Sequence, residues 1–163
     1  MALPLYHDYK RGNLLHHSIF EGMDYDVFRV VSNENDELEI ENVKTGKVVK
    51  ILREDDQYVK AICLTPEVLD KLGFEVVDNT VEQNRKWTQD FVELVSTGEN
   101  VVSGMEIKNT FKGYKVRDRR SNEEIILIDQ DYRYIDYVHE LQNVYDYNFK
   151  TTLDVRPLSN TRR

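Results

Sequence analysis

Apolar and polar residues alternate along much of the first third of the chain, which is the period of a half-buried β-strand. The alternation is clearest in residues 25–32, 37–43 and 47–52, and the turn-forming runs NEND and KTG separate these segments. Short strands joined by Asn, Asp and Gly turns are typical of an antiparallel meander. The pattern over residues 12–62 therefore predicts a small antiparallel β meander, curled as in an SH3-like barrel.

The segment LTPEVLDKLGF, at residues 64–74, carries the start and stop signals of a short helix. Thr65 is of a type that caps the free N–H groups of a first turn. Pro66 suits the first helical position, because its missing donor costs nothing there. Gly73 accepts the left-handed conformation that ends many helices. We expect a helix of about two turns.

A second antiparallel sheet is predicted from about residue 87 to residue 128, with strands at VVSGMEIKN, FKGYKVRD and EEIILID. The run WTQDFVELVS, at residues 87–96, fits two structures. Its apolar residues Trp87, Phe91 and Leu94 recur at helical spacing, whereas its position between turn signals favours a strand. We interpret it as a strand, and a helix stays the alternative.

The run YVHELQNVYDYNF, at residues 137–149, places apolar side chains every three or four positions, which is the period of an amphipathic helix. It predicts a C-terminal helix of about four turns that covers one face of the second sheet. Residues 150–163 carry turn formers and an excess of basic residues, and we expect a poorly ordered basic tail there.

These elements predict an α+β protein with two domains and a tail. Residues 1–63 form the small β-barrel-like domain in this interpretation. Residues 64–149 form an α+β domain that consists of the short helix, the second sheet and the C-terminal helix. The tail spans residues 150–163.

The net charge of −8, from 22 basic and 30 acidic residues, disfavours binding to nucleic acids and to anionic membranes, because both partners are themselves negative. One basic hairpin is an alternative nucleic-acid contact, through Lys115, Arg117, Arg119 and Arg120. Nearby acids such as Asp118 dilute its field, so a solvated hairpin that protects a sheet edge is favoured.

Signals of cellular location are few. The first ten residues lack a basic stretch followed by an apolar run, so we expect no secretory signal. No apolar run reaches the roughly 18 residues of a membrane helix. The one cysteine, Cys63, lies among apolar residues and is expected to be a buried, inert thiol. We expect a cytoplasmic protein that does not bind membranes.

The sequence offers little that resembles a catalytic or metal-binding motif. His16 and His17 are adjacent, so on a strand they would point to opposite faces. His7 and His139 have no Cys or carboxylate partner at a spacing typical of zinc sites, and the acids near residue 130 do not match a calcium loop. We therefore expect no catalytic residue, no metal site and no cofactor.

Two segments carry a resemblance to a known group of proteins. Residues 64–74 fit the pattern Leu-Thr-x-x-x-Leu-x-x-x-Gly-Phe, and residues 137–145 fit Tyr-Val-His-x-Leu-Gln-Asn-x-Tyr. With the RGN at residues 11–13, the chain resembles small uncharacterised proteins encoded by phages and mobile elements of anaerobic gut bacteria. The resemblance implies such an origin and a bacterial cytoplasm, and it implies no activity.

The polar residues of the C-terminal run are the candidate partner-binding site: His139, Gln142, Asn143 and Tyr147. The first three have a structural alternative, in which they satisfy polar backbone groups of a sheet.

The function predicted from the sequence is that of a non-catalytic accessory protein that binds a host or phage protein. The ten tyrosines favour it, since tyrosine combines a large contact area with a polar end. Three alternatives stay open: an inhibitor of a host defence nuclease with an acidic, DNA-like face, a virion component, and a metal-dependent hydrolase.

Overall fold

The fold was analysed in a computed structural model, which describes residues 9–18, 26–52, 55, 58–78, 86–89, 91–118, 120, 123–124 and 134–159. The predicted α+β class is confirmed, because antiparallel strands dominate and the helices are few. The chain divides into two compact units. One comprises Met1–Leu64 and Tyr137–Arg163, and the other comprises Thr65–Asp136.

The first unit contains a curled antiparallel half-barrel sheet, whose strands lie in the order β4-β3-β2-β1-β5. The strands are β1 (Leu14–His17), β2 (Asp26–Glu34), β3 (Glu37–Asn42), β4 (Val48–Leu52) and β5 (Val59–Lys60). The NEND segment forms the turn between β2 and β3, where Asn35 and Asp36 have φ of 54° and 61°. Positive φ at both central residues is the geometry of the tight hairpin turn that the sequence predicted.

Alternate residues of these strands form one apolar core. The buried side chains of this core are Tyr9, Leu15, Phe28, Val30, Leu38, Ile40, Ile51 and Val59. In β3, Leu38 and Ile40 are fully buried, whereas the three glutamates that alternate with them are only half-buried. The period-two pattern therefore defines the inner face of the sheet.

The second unit opens with helix α1 (Pro66–Lys71), as predicted. The Val68 N–H donates to Thr65 Oγ1 at 3.2 Å, which caps the first turn. Gly73 has a φ of 95°, and the Phe74 N–H donates to the Leu69 carbonyl, closing the C-terminus.

The sheet of the second unit has the strand order β10-β9-β8-β7-β6. Its strands are β6 (Glu75–Asp78), β7 (Lys86–Gln89), β8 (Val92–Ser103), β9 (Glu106–Asp118) and β10 (Glu123–Glu124). Residues 86–89 and 92–96 are thus strand rather than helix, and they belong to two strands where we predicted one. Trp87 lies opposite Leu94, and both are buried. Their helix-like spacing comes from a tight turn between neighbouring strands.

In the second unit, β9 approaches residues 134–135 closely at Gly113. The backbone groups of Tyr114 and Ile135 exchange two hydrogen bonds of 2.9 Å. A Cβ atom placed on Gly113 would lie 2.8 Å from the Tyr134 Cβ and 3.0 Å from the Ile135 carbonyl oxygen. Only glycine fits this crossing without displacement.

Helix α2 (Val138–Tyr147) is shorter than predicted and makes its contacts elsewhere. We expected it to cover the second sheet. Instead it belongs to the first unit, where the Val138 N–H donates to the Ile62 carbonyl at 2.8 Å and the side chain of Gln142 bonds β1. The apolar period identified a helix with a buried face, but it carries no information about which sheet that face meets.

The expectation of a poorly ordered tail is also wrong for the described residues up to 159. Leu153 and Leu158 are buried, with 3% and 5% of their surface exposed. A short helix, α3 (Arg156–Ser159), contains the second of them. Two leucines that become buried provide the apolar contact that holds this segment.

Candidate functional site

Two of the predicted site residues, Gln142 and Asn143, bind β1 and the turn before it. Gln142 Oε1 accepts from the Leu14 N–H at 2.9 Å, and its Nε2 donates to the Gly12 carbonyl at 3.0 Å. One carboxamide therefore pairs with the backbone much as a neighbouring strand would. The Asn13 Nδ2 donates to Asn143 Oδ1 at 3.0 Å. This geometry fits the structural alternative, in which both amides satisfy polar groups of the interior.

His139 is fully buried, and its ring packs against two tyrosines. The ring centroids lie 4.5 Å from Tyr9 and 5.9 Å from Tyr137. Neither ring nitrogen of His139 has a hydrogen-bond partner within the described residues. Burial lowers the pKa of His139 from 6.5 to about 3, so the ring is neutral at neutral pH. Its contacts in this structure are those of a packed aromatic ring.

Tyr147 is the one predicted site residue whose side chain is only half-buried. The Lys10 ammonium lies 5.3 Å from the centre of its ring, within the range of a cation–π contact. The other three residues expose 8% of their surface or less. Contact with a partner through the four residues stays a prediction, and in this conformation Tyr147 is the residue accessible to one.

The cations of the predicted basic hairpin have local partners. Arg117 pairs with Glu93 at 3.6 Å. Arg120 makes two hydrogen bonds to the Asp118 carboxylate, at 2.8 and 3.0 Å, which lower the pKa of Asp118. The Arg120 guanidinium also lies 4.4 Å from the Phe91 ring centre.

The other two cations of the hairpin are Lys115 and Arg119. The Lys115 ammonium lies 6.0 Å from the Tyr134 ring centre, and Arg119 lies outside the described residues. The described cations of the hairpin therefore stand beside acids or aromatic rings, and the nucleic-acid alternative stays a prediction.

The residues considered for metal binding are not brought together in the part of the chain that the structure describes, where no group of three or more His, Cys, Asp or Glu side chains could hold an ion. Burial lowers the pKa of both His16 and His17, and it raises the pKa of Asp136. His7 lies outside the described residues. The expectation of a buried thiol is wrong, because Cys63 is exposed. Its apolar neighbours in the sequence indicate a strand-like segment, and the Cys63 side chain lies on the solvent-exposed side of that segment.

A surface feature that the site prediction missed is the outer edge of β4. Among the residues that the structure describes, each sheet ends in two edge strands, and three of these four strands are short or irregular: β5 and β10 have two residues each. The edge strand β6 has four residues and a register shift between Val76 and Asp78. Strand β4 has five residues in unbroken register with β3. Short or bulged edges resist pairing with another chain, whereas a regular edge accepts it.

The hydrogen-bond pattern shows which groups of β4 face outward. The Asn42 N–H donates to the Lys47 carbonyl at 2.8 Å, so the carbonyl of residue 47 points at β3. The directions alternate along an antiparallel strand, which turns the N–H and C=O groups of Val48 and Lys50 away from β3. Within the described part of the chain these outward groups have no bonding partner.

The side chains on the outer surface of β4 are accessible and alternate in character. Val48 and Leu52 expose 48% and 46% of their surface, and Lys50, between them, is also exposed. Each lies opposite a glutamate of β3: Val48 faces Glu41 and Lys50 faces Glu39. The β4 edge, defined here as Val48, Lys50 and Leu52, therefore presents an apolar–basic–apolar row beside acids. The alternation of residues in the sequence could have predicted this row of side chains, but it does not show that the strand lies at the edge of the sheet.

Within the described residues, no helix is both long enough and apolar enough to cross a membrane. Comparisons of the chain with protein-family models, with curated proteins and with solved structures find no match.

Proposed function

We propose that the chain is a non-catalytic accessory protein of a phage or mobile element that works in the bacterial cytoplasm by binding another protein. The contact in this proposal is the β4 edge, which accepts an extended segment of the partner as an added strand. The observation that carries the proposal is the regular edge strand with outward backbone groups at Val48 and Lys50. Main-chain hydrogen bonds supply affinity in this recognition mode, and alternate side chains supply specificity.

The flanking side chains support the same mode of binding. An added strand would cover part of Val48 and Leu52, which together form an exposed apolar pair on one face of the strand. Burying apolar surface stabilises a complex by about 25 cal/mol per Å² before the costs of association. The ladder with β3 already holds β4 in the extended conformation that an added strand requires, so little of β4 has to be ordered on binding.

The test uses Lys50→Pro with Lys50→Thr as its matched control. The Lys50 N–H points outward, so proline removes a donor needed by an added strand and spares the ladder with β3. Threonine also removes the charge, but it retains the N–H. Partners captured from the bacterial host with the unaltered chain are identified by mass spectrometry, purified and titrated against the three chains by calorimetry.

We expect the proline variant to lose about tenfold or more in affinity, equivalent to about 1.4 kcal/mol, and the threonine variant to stay within about threefold of the original. Urea denaturation of each variant checks that the fold survives. A purified partner that binds Lys50→Pro as tightly as the unaltered chain would show that the β4 edge is not the contact.

A second candidate function, inhibition of a host defence nuclease, is favoured by a row of acids on β3. Glu37, Glu39 and Glu41 occupy alternate positions and so share the outer face. Arg29 lies 3.7 Å from Glu41 and offsets part of this charge. The test is a nuclease titration with the unaltered chain and with Glu37→Gln combined with Glu39→Gln. If the unaltered chain inhibits the nuclease and the double variant inhibits it less, the result supports this function. If the double variant inhibits equally well, the acidic row of β3 is not the inhibitory surface.

A further inference from the structure

The side chains of the β4 edge indicate what kind of segment it binds, an inference that rests on the proposed strand-addition function. We infer that the occupant is an extended segment of a different protein in which an acidic residue stands between two apolar residues at alternate positions. On an added strand, three side chains on one face lie opposite Val48, Lys50 and Leu52. The pattern apolar–x–acidic–x–apolar places a favourable pair at each of these three positions.

Lys50 is the residue that selects the acidic centre. It is exposed, and its ammonium makes no ion pair with any residue that the structure describes, although Glu39 lies opposite it on β3. A carboxylate on the added strand would approach Lys50 from the other side. Opposite charges directly across a strand pair attract, and like charges repel. An occupant with a lysine at its centre is therefore disfavoured.

The same geometry disfavours a second copy of this chain as the occupant. If two β4 strands paired antiparallel with Val48 opposite Leu52, the two Lys50 side chains would face each other. A lysine on an edge strand is a common device against such self-pairing. Shifting the register by two residues avoids the clash, but it leaves Lys50 opposite an apolar residue and shortens the overlap. The unlike partner, with its acid, satisfies all three positions at once.

The pattern reads the same in both directions, so the inference holds for parallel and antiparallel addition. It also separates the two sources of binding. The backbone groups of β4 accept any extended chain without a proline in the way, whereas Lys50 decides between sequences. A change at Lys50 that retains the N–H should alter preference while leaving general binding intact.

The experiment titrates short blocked peptides into ¹⁵N-labelled protein and follows amide chemical shifts. The peptides share threonine–valine–threonine arms and differ at the centre, which is glutamate, glutamine or lysine. The protein is the unaltered full chain, Lys50→Glu and Lys50→Pro. For the unaltered chain we expect shifts at the amides of Val48 and Lys50, and an affinity about five- to tenfold higher for the glutamate peptide than for the lysine peptide. Lys50→Glu should reverse the order, with glutamine intermediate in both chains.

The outcomes distinguish this inference from the function on which it rests. If the peptides shift the β4 amides equally and Lys50→Glu changes no preference, the acidic-centre inference is overturned while strand addition stands. If no peptide shifts these amides, or if Lys50→Pro binds like the unaltered chain, strand addition itself fails. If sedimentation instead shows a dimer that Lys50→Pro dissociates, the occupant is a second copy and the inference of an unlike partner is wrong.

Discussion

Asn13 and Asn143 lie 130 positions apart in the chain, and their side-chain amides meet at 3.0 Å in the interior of the first unit. Both residues are 1% exposed. The Asn13 Oδ1 also accepts from the Lys10 N–H at 2.7 Å, so Asn13 joins the turn before β1 to helix α2. Gln142 and Asn143, which we predicted as a recognition surface, thus join segments of the first unit that are about 130 residues apart in the sequence.

A double-mutant cycle should show the strength of this pair. We expect Asn13→Ala, Asn143→Ala and their combination to have non-additive effects on the free energy of unfolding, with a coupling of about 1 kcal/mol. Asn13→Ala also leaves the Lys10 N–H without its acceptor, so only the coupling term of the cycle reports the pair itself. Urea denaturation of the four chains measures all terms. Strict additivity would mean that the two amides do not interact in solution.

Replacing Gln142 by methionine should destabilise the protein by about 2–4 kcal/mol. Methionine is similar in size but leaves both the Leu14 N–H and the Gly12 carbonyl without their partner, and an unsatisfied buried group costs about 1–3 kcal/mol. Asp146→Asn, at an exposed position of the same helix, is the control and should change stability by less than about 0.5 kcal/mol. Thermal and urea unfolding measure both variants, and equal effects would contradict the role assigned to Gln142.

Acid should destabilise the chain through His139. Its pKa is about 3 in the folded protein and 6.5 ordinarily, so the unfolded chain binds a proton that the folded chain does not. The stabilising contribution is therefore full above about pH 6.5 and is lost as the pH falls towards 3. Between pH 7.5 and pH 5 we expect a loss of about 2 kcal/mol from this residue.

The control for the pH experiment is His139→Phe, which preserves an aromatic ring without a titrating group. Burial also lowers the pKa of His16 and His17, but both residues are present in the two chains, so the difference between the chains isolates His139. The free energy of unfolding is measured at both pH values. If the two chains lost the same amount between pH 7.5 and pH 5, His139 would have to be protonated or exposed in the folded protein.

Gly113→Ala should destabilise the second unit by about 3 kcal/mol. The new methyl group would lie 2.8 Å from the Tyr134 Cβ, and the φ of 126° is unfavourable for alanine. Gly104→Ala is the matched control, since Gly104 also has a positive φ, of 64°, but its added Cβ meets no atom within 4 Å. It should cost about 1 kcal/mol. Unfolding of the two variants by urea, followed by Trp87 fluorescence, separates crowding from backbone conformation.

Local chemistry made part of this fold predictable. The α1 signals lie within eleven residues, and each acts on its immediate neighbours, so Thr65 and Gly73 have the roles that the sequence predicts. The turn at Asn35 and Asp36 is predictable for the same reason. Strands β7 and β8 were harder to predict, because Trp87 and Leu94 are neighbours across the strand pair and their separation of seven also suits a helix.

Long-range relations account for what the sequence left open. The helical spacing of Val138 and Leu141 does not indicate that α2 packs against β1 rather than against the second sheet. The hydrogen bonds of Gln142 decide it, and they depend on backbone groups about 130 residues away. The β4 edge escaped notice because the alternation of Val48 and Lys50 is the same on a central strand and on an edge strand. Position in a sheet is a property of the whole topology.

The pairing of Cys63 with Tyr137 has a consequence for how the chain is made. The polypeptide leaves the first unit after Leu64 and returns to it at Tyr137, so residues 65–136 form an insertion. The bridge between Cys63 and Tyr137 holds the chain segments before and after this insertion next to each other. A ribosome releases residue 143 long after Asn13 has emerged. The hydrogen bond between Asn13 and Asn143 can therefore form only after the inserted unit has been synthesised, whereas the contacts inside that unit need no residue beyond 136.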